Sequence, residues 1–320
     1  MIRVLTLAKF LNNIRPLSQI VIGLMGDHAI YRHTVADAGS VAEVHLLDGK
    51  SEEDFLIKTS ADILIVDVLE ISPEQLERYS RTGAKIVLFN DLGKEYSSAD
   101  LMICPQILRK YPNVGKDQRL LSGPKYFIVR EEFKKLVDGK LGNSAQHKKN
   151  ICITLGGCLR ALDANRILPV LRGLVDHNLR IEVLTGFDST DILKEALSCG
   201  VLNSNHITLK AGSRNPAAYM SGSVLALASS GYVKYELAAL GVPMVLVSIV
   251  DHQRELGRVF CEQSGAGEFF DGFGEDSPDK LVARLADLFY NECIRASMSS
   301  RGRELVDCRG SERVVAAILE

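Results

Sequence analysis

The stretch with the most chemical content is VLALASSGYVKYELAALGVPMVLVS, residues 224–248. It parses as a strand, a loop of small residues, a helix, Gly-Val-Pro and a second strand. Ser229, Ser230 and Gly231 have side chains small enough to let a ligand reach the backbone. Their N–H groups would stand at the N-terminus of the following helix, where donors lack intrahelical partners and the helix dipole favours an anion. Glu236 falls about a turn and a half further in, where a carboxylate can accept two hydrogen bonds from a ribose diol. Gly241 and Pro243 close the helix in the usual order. On this stretch alone, a plain Ser-Ser-Gly helix entry with a solvated Glu236 fits equally well.

Other candidates are weaker taken singly. In NICITLGGCLRALDANRILPVL, Gly156 and Gly157 follow a strand and precede a helix. Paired glycines there let another group approach the backbone, or simply make a tight turn. In SIVDHQREL, Asp251, His252 and Gln253 follow a strand, and loops at the carboxyl ends of parallel strands are where ligands bind. His252 could hold a phosphate or act as acid or base, or it is a surface-loop histidine. Asp67 ends ILIVD and Asp91 ends IVLFND; each could be a base, a hydroxyl acceptor or, most commonly, a helix cap. His28, in MGDHAIYRH, could open a helix beside a cleft or be solvated. No GxxxxGK[ST], no GxGxxG after a first strand, no GxSxG and no HExxH occurs, which argues against a P-loop, NAD, a serine-hydrolase elbow and a zincin.

These residues need strands to present them. Strand-length apolar runs are Ser18–Leu24, Val41–Leu47, Ile63–Val68, Lys85–Asn90 and Asp100–Cys104, then Asn150–Leu155, Arg180–Thr185, His206–Leu209, Val224–Ala228, Met244–Ser248 and Ala266–Phe270. Helical patterns separate them, so two parallel-sheet α/β domains are expected. The polar stretch Val137–Lys149 reads as their linker, giving domains 1–140 and 148–320. Ser277 caps a helix that begins at Pro278. The start is unusual, because a doubly wound domain should open with a strand. In MIRVLTLAKFLNNI, Val4, Leu7, Ala8 and Leu11 share a helical face. A strand here would leave too short a crossover before Ser18–Leu24. The helix is therefore expected, and with it a domain without its usual first strand.

Composition bounds the function. The 320 residues carry a net charge of −2, which offers no electrostatic case for nucleic acid or an anionic membrane. No apolar run approaches the ~18 residues of a membrane span, and no signal peptide is evident. Seven cysteines without a CxxC pair fit neither a disulfide framework nor a zinc site. Cys104, Cys152 and Cys199 read as small buried hydrophobes in a reducing cytosol.

Taken together, ILIVD, AKIVLFND, SGPKYFIVREEF, ICITLGG, SSGYVKYELAALGVPMVLVSIVDHQ and the closing VDCRGSERVVAAI resemble the UDP-sugar hydrolase of the pseudaminic acid pathway and the related spore-coat polysaccharide glycosyltransferase-like proteins. The resemblance implies a GT-B-like fold, with two Rossmann-like domains facing a cleft. A UDP-sugar would lie there, its nucleotide on the C-terminal domain near Gly156, Gly157, Ser229–Gly231, Glu236 and Gln253. The sugar would face the N-terminal domain. No metal or other cofactor is implied, and the setting is cytoplasmic. The hydrolase releases UDP with water as acceptor; a glycosyltransferase with the same donor and a non-catalytic binder are the alternatives. Relatives open with a strand and a Gly-x-Gly-His loop whose histidine is the proposed catalytic group, followed by an arginine. This sequence begins at the counterpart of that arginine, Arg3, which is a candidate substrate-binding residue, and a start upstream of Met1 is expected. His252 stands where the family has asparagine. Val68 and Leu69 replace a more polar pair after Asp67. His252, Asp67 and His28 are therefore the candidate catalytic residues.

Overall fold

A computed structural model describes residues 2–16, 18–25, 39, 41–48, 51–139, 150–155, 161–185, 205–213, 215–271 and 278–320. His28, Gly156, Gly157, Cys199, Ser277 and residues 140–149 of the expected linker lie outside these. The chain forms two compact units, Met1–Glu131 with Cys308–Glu320, and Glu132–Asp307.

In unit 1, β1 (Val21–Met25) and β2 (Glu43–Leu47) form a parallel pair. A separate parallel sheet holds β3 (Ile63–Asp67), β4 (Lys85–Phe89), β5 (Leu101–Cys104) and β6 (Arg119–Ser122) in sequence order. Both sheets are α/β in character, with helices α1 (Ile2–Ile14), α2 (Glu52–Thr59) and α3 (Pro73–Ser80) between or before the strands. The expected N-terminal helix forms, with Leu7 and Ala8 buried. α3 starts as its sequence dictates. Pro73 takes the first turn and the Ser72 hydroxyl accepts the Gln75 N–H at 3.1 Å, satisfying one orphan donor. β6 was not expected. It is a short edge strand with Arg119 exposed, Leu121 buried and Leu120 and Ser122 half-buried, and a run of four with two apolar residues carries little periodic signal.

Unit 2 is one six-stranded parallel sheet in the order β12-β11-β10-β7-β8-β9. Its strands are β7 (Asn150–Thr154), β8 (Arg180–Thr185), β9 (Ile207–Ala211), β10 (Leu225–Ser229), β11 (Met244–Val247) and β12 (Gly267–Phe269). Every residue of β7, β10 and β11 is buried, as expected where helices cover both faces of a parallel sheet. Short α4 (Glu131–Val137) leads in. The helices of the sheet are α5 (Ala161–Asp176), α6 (Pro216–Met220), α7 (Val233–Leu240), α8 (Asp251–Ser264), α9 (Pro278–Tyr290) and α10 (Glu292–Leu305). α7 ends at Gly241, φ 67°, whose N–H bonds Ala238 O while Val242 N–H bonds Leu237 O. That left-handed cap suits glycine.

The expected boundary at 320 for the second domain is corrected by the last helix, α11 (Gly310–Leu319). Val314, Val315, Ala317 and Ile318 join Leu7, Val87, Phe89 and Ile103 in the core of unit 1. Lys85 Nζ donates to Ile318 O at 3.0 Å. Gly310 lies so close to Phe127 that a Cβ would meet its carbonyl oxygen at 2.0 Å. An amphipathic helix shows in sequence which face it buries, and not which sheet receives it.

Candidate functional site

The sheet order of unit 2 decides where a site can form. The chain runs from β7 outward to β8 and β9, then returns to the other side of β7 as β10 and continues to β11 and β12. Ligands of open α/β sheets sit outside the carboxyl ends of the strands where the order reverses. Here that point is between β7 and β10. Thr154 lies opposite Ala228, so Leu155 and Ser229 follow neighbouring strands at the same level.

The loop after β10 is held from three sides. Ser230 N–H donates to Val247 O at 2.9 Å, and Ser230 Oγ donates to the same carbonyl at 3.1 Å. Lys234 Nζ donates to Ser230 O at 2.8 Å. Gly257 of α8 packs onto the Ser230 side chain, at a point where a Cβ would lie 2.2 Å from Ser230 Oγ. The Ser230 hydroxyl and backbone N–H are therefore both engaged inside the protein, and Ser230 supports the loop rather than supplying a donor to an anion. Ser229, Gly231 and Gln253 do converge. A Cβ on Gly231 would lie 3.4 Å from Gln253 Nε2 and 3.8 Å from Ser229 Oγ. Ile249 N–H donates to Gln253 Oε1 at 3.3 Å, which turns the amide's two N–H donors toward the Gly231 side. Glu236 is buried in α7, at 8% exposure, on the helix that this loop opens.

Asp251, His252 and Gln253 were expected in a loop. They form the first turn of α8, whose cap is Val250. His252 is exposed there. Sequence reasoning passed over Lys234, a fully buried lysine lying 4.9 Å from the Tyr235 ring centroid and 5.9 Å from that of Phe260. Its signal was present: one cation in the otherwise apolar-rich VKYELAAL helix that follows Ser-Ser-Gly.

The remaining candidates belong to unit 1, and they are joined to one another. Arg3 of α1 donates from Nε to Asp67 Oδ2 at 3.1 Å, and from Nη1 and Nη2 to the two Asp91 oxygens at 3.0 Å each. Arg3 Nη2 also bonds Asp67 Oδ1. The guanidinium lies 4.2 Å from the Phe89 ring centroid, a stacked cation–π position. Burial pushes the Asp67 carboxyl up, but the Arg3 charge and its hydrogen bonds outweigh that and leave it below its ordinary value. Such a carboxylate is ionised at neutral pH and is a correspondingly weak base. Neither Asp67 nor Asp91 caps a helix: Asp67 ends β3, and Asp91 follows β4 by two residues. Among the described residues, no group of three or more His, Cys, Asp and Glu could hold a metal ion, and no helix is long and apolar enough to cross a membrane.

The two parallel-sheet units define a GT-B-like α/β fold. Acinetobacter baumannii MurG matches with a TM-score of 0.67 over 99% of this chain and 95% of its own, at 13% identity. A Staphylococcus aureus MnaA–UDP co-structure matches with a TM-score of 0.67 over 98% and 91%, at 15% identity. By sequence, the chain is homologous to the spore coat polysaccharide biosynthesis protein SpsG of Bacillus subtilis (strain 168). The two are 27% identical over 268 residues, covering 80% of this chain and 76% of SpsG. No family model matches the chain.

Proposed function

We propose that unit 2 binds the UDP of a UDP-sugar at the carboxyl ends of β7 and β10, and that the protein hydrolyses the bond between UDP and an amino-sugar in surface-polysaccharide or nonulosonic acid synthesis. The observation that carries this reading is the convergence of Ser229, Gly231 and Gln253 at the point where the sheet order reverses. The Gly231 backbone N–H and the Gln253 amide supply donors for the diphosphate. Glu236, along α7, takes the ribose hydroxyls. Gly156 and Gly157, which follow β7 in sequence, are further candidates to contact the diphosphate.

In the reaction, a water oxygen bonds to the anomeric carbon as the carbon–oxygen bond to the β-phosphate breaks. UDP departs with that electron pair, and the water gives up a proton. His252 and His28 are the candidates to accept it. Asp67, paired with Arg3, serves this chemistry poorly as a base. Arg3 acts by organising unit 1.

Transfer to a sugar acceptor is the second reading. It is favoured by the fold, which is shared with glycosyltransferase structures, and by homology to a polysaccharide biosynthesis protein. The test is incubation with UDP-N-acetyl sugars in water alone and then with oligosaccharide acceptors, with UDP and free sugar followed by 31P and 1H NMR. UDP with free sugar in water alone supports the hydrolase. UDP release that requires an acceptor supports the transferase. Tight UDP binding without turnover under either condition makes the protein a non-catalytic relative, and no UDP binding by calorimetry overturns the reading.

A further inference from the structure

The buried lysine behind the loop that follows β10 carries an inference that deepens the proposed UDP site and rests on it. Lys234 is the second residue of α7 and has no exposed surface. Its Nζ lies 4.9 Å from the Tyr235 ring centroid and 5.9 Å from that of Phe260, and both of these side chains are fully buried. Burying an ammonium is costly unless it is paired. The first turn of a helix adds to that cost, because the dipole is positive there. An apolar residue of similar length, such as methionine, would fill the same space without either cost. Packing therefore does not account for the cation, and its contact with the loop does.

Lys234 Nζ donates to Ser230 O at 2.8 Å. Ser230 N–H donates to Val247 O at 2.9 Å, so the backbone is held on both sides of the Ser230 Cα. The Ser230–Gly231 peptide bond is trans. In a planar trans peptide the C=O and the N–H point in opposite directions. Drawing the Ser230 carbonyl back to Lys234 thus turns the Gly231 N–H forward, away from the lysine. Ser229 Oγ and Gln253 Nε2 converge on Gly231, and among the described residues no acceptor takes its N–H. The hydrogen bond from a cation also polarises the carbonyl, which makes the N–H of the same peptide a stronger donor.

We propose that Lys234 is a positioning residue for the diphosphate. From behind the loop it fixes the Ser230–Gly231 peptide with its N–H toward the ligand and strengthens that donor. With no exposed surface, Lys234 acts only through this peptide and never touches the nucleotide. Its effect falls on the phosphates and spares the nucleoside.

The test compares UDP with uridine on the full chain. Titrated into the wild-type protein, UDP should move the Gly231 amide proton downfield in 1H–15N NMR spectra, and uridine should not. Lys234→Met should weaken UDP binding by about 10- to 100-fold, the worth of a hydrogen bond to a charged group. It should also abolish the downfield shift and leave uridine affinity unchanged. Lys234→Gln, which keeps a polar donor in the site, should show a smaller loss of the same UDP-only pattern, and carries the comparison if Lys234→Met fails to fold. Equal losses for UDP and uridine would make Lys234 a general support of the fold and overturn the proposal. So would a Lys234→Met protein that binds UDP as wild type does. The wild-type titration decides without any variant: UDP binding that leaves the Gly231 amide unmoved removes the role of Lys234 while the UDP site stands. Wild-type protein that binds no UDP overturns the site itself, and the role of Lys234 with it.

Discussion

Both units gather polar groups at the carboxyl ends of parallel strands, and they treat them in opposite ways. In unit 1 the groups satisfy one another: Arg3 binds Asp67 and Asp91 and stacks on Phe89. In unit 2 the loop after β10 is fixed from behind, by Val247 O and by Lys234 beneath Ser230 O, while Gly231, Ser229 and the Gln253 amide face a common point. A cluster that completes its own pairing is a brace. A loop whose supports all come from behind keeps its front for a ligand. A carboxylate at a strand tip is a candidate for chemistry only until its partner is known.

The largest expected effect tests the brace. Arg3→Met leaves two buried carboxylates without their cation, which should cost about 3–5 kcal/mol of unit 1 stability, read by urea denaturation, with UDP affinity unchanged. Intact stability with lost UDP affinity would reverse the assignment and make Arg3 a ligand group. Next, Glu236→Gln should weaken UDP binding by roughly 10- to 100-fold, the worth of a charge-assisted hydrogen bond of about 1.5–3 kcal/mol. Calorimetry with 2′-deoxy-UDP should narrow the gap between wild type and variant; an equal gap would remove Glu236 from the ribose. Gly231→Ala, whose Cβ would sit 3.4 Å from Gln253 Nε2, should lower UDP affinity several-fold while stability stays within about 1 kcal/mol. A variant that binds UDP as wild type would break the convergence argument.

The smallest effect is a pH dependence. The folded-state carboxyl of Asp67 lies below its ordinary value, so its pairing stabilises the fold fully above the unfolded value, about 3.9. That contribution is lost as pH falls through the lower folded value. Urea midpoints measured downward from about pH 4 should therefore fall more steeply for wild type than for Asp67→Asn. Parallel acid limbs would mean that Asp67 contributes no such linkage.

Much of the fold was legible in the sequence. The apolar runs of β7, β10 and β11 are continuous because both faces are covered, and the Ser72–Pro73 and Gly241 signals mark helix ends through local backbone chemistry. The small residues at 229–231 were legible for the same local reason. β6 escaped because four residues at a sheet edge hold too little pattern. Ser230 looked like its neighbours, and only Val247 and Gly257, distant in sequence, show that its hydroxyl faces inward. Asp251–Gln253 read as loop because no cap residue announces α8.

By itself, then, the sequence determined the alternation of strands and helices, the helix that opens the chain and the anion-ready chemistry of the Ser-Ser-Gly loop. These rest on periodicity, side-chain size and capping, which act over a few residues. Tertiary structure alone decided that α11 packs in the core of unit 1, that β10 returns beside β7, and that Lys234 supports Ser230 from behind. It also joined Arg3 to Asp67 and Asp91, 64 and 88 residues away. Those pairings are set by which strands lie side by side and which buried charges must find a partner, and local pattern carries no record of either.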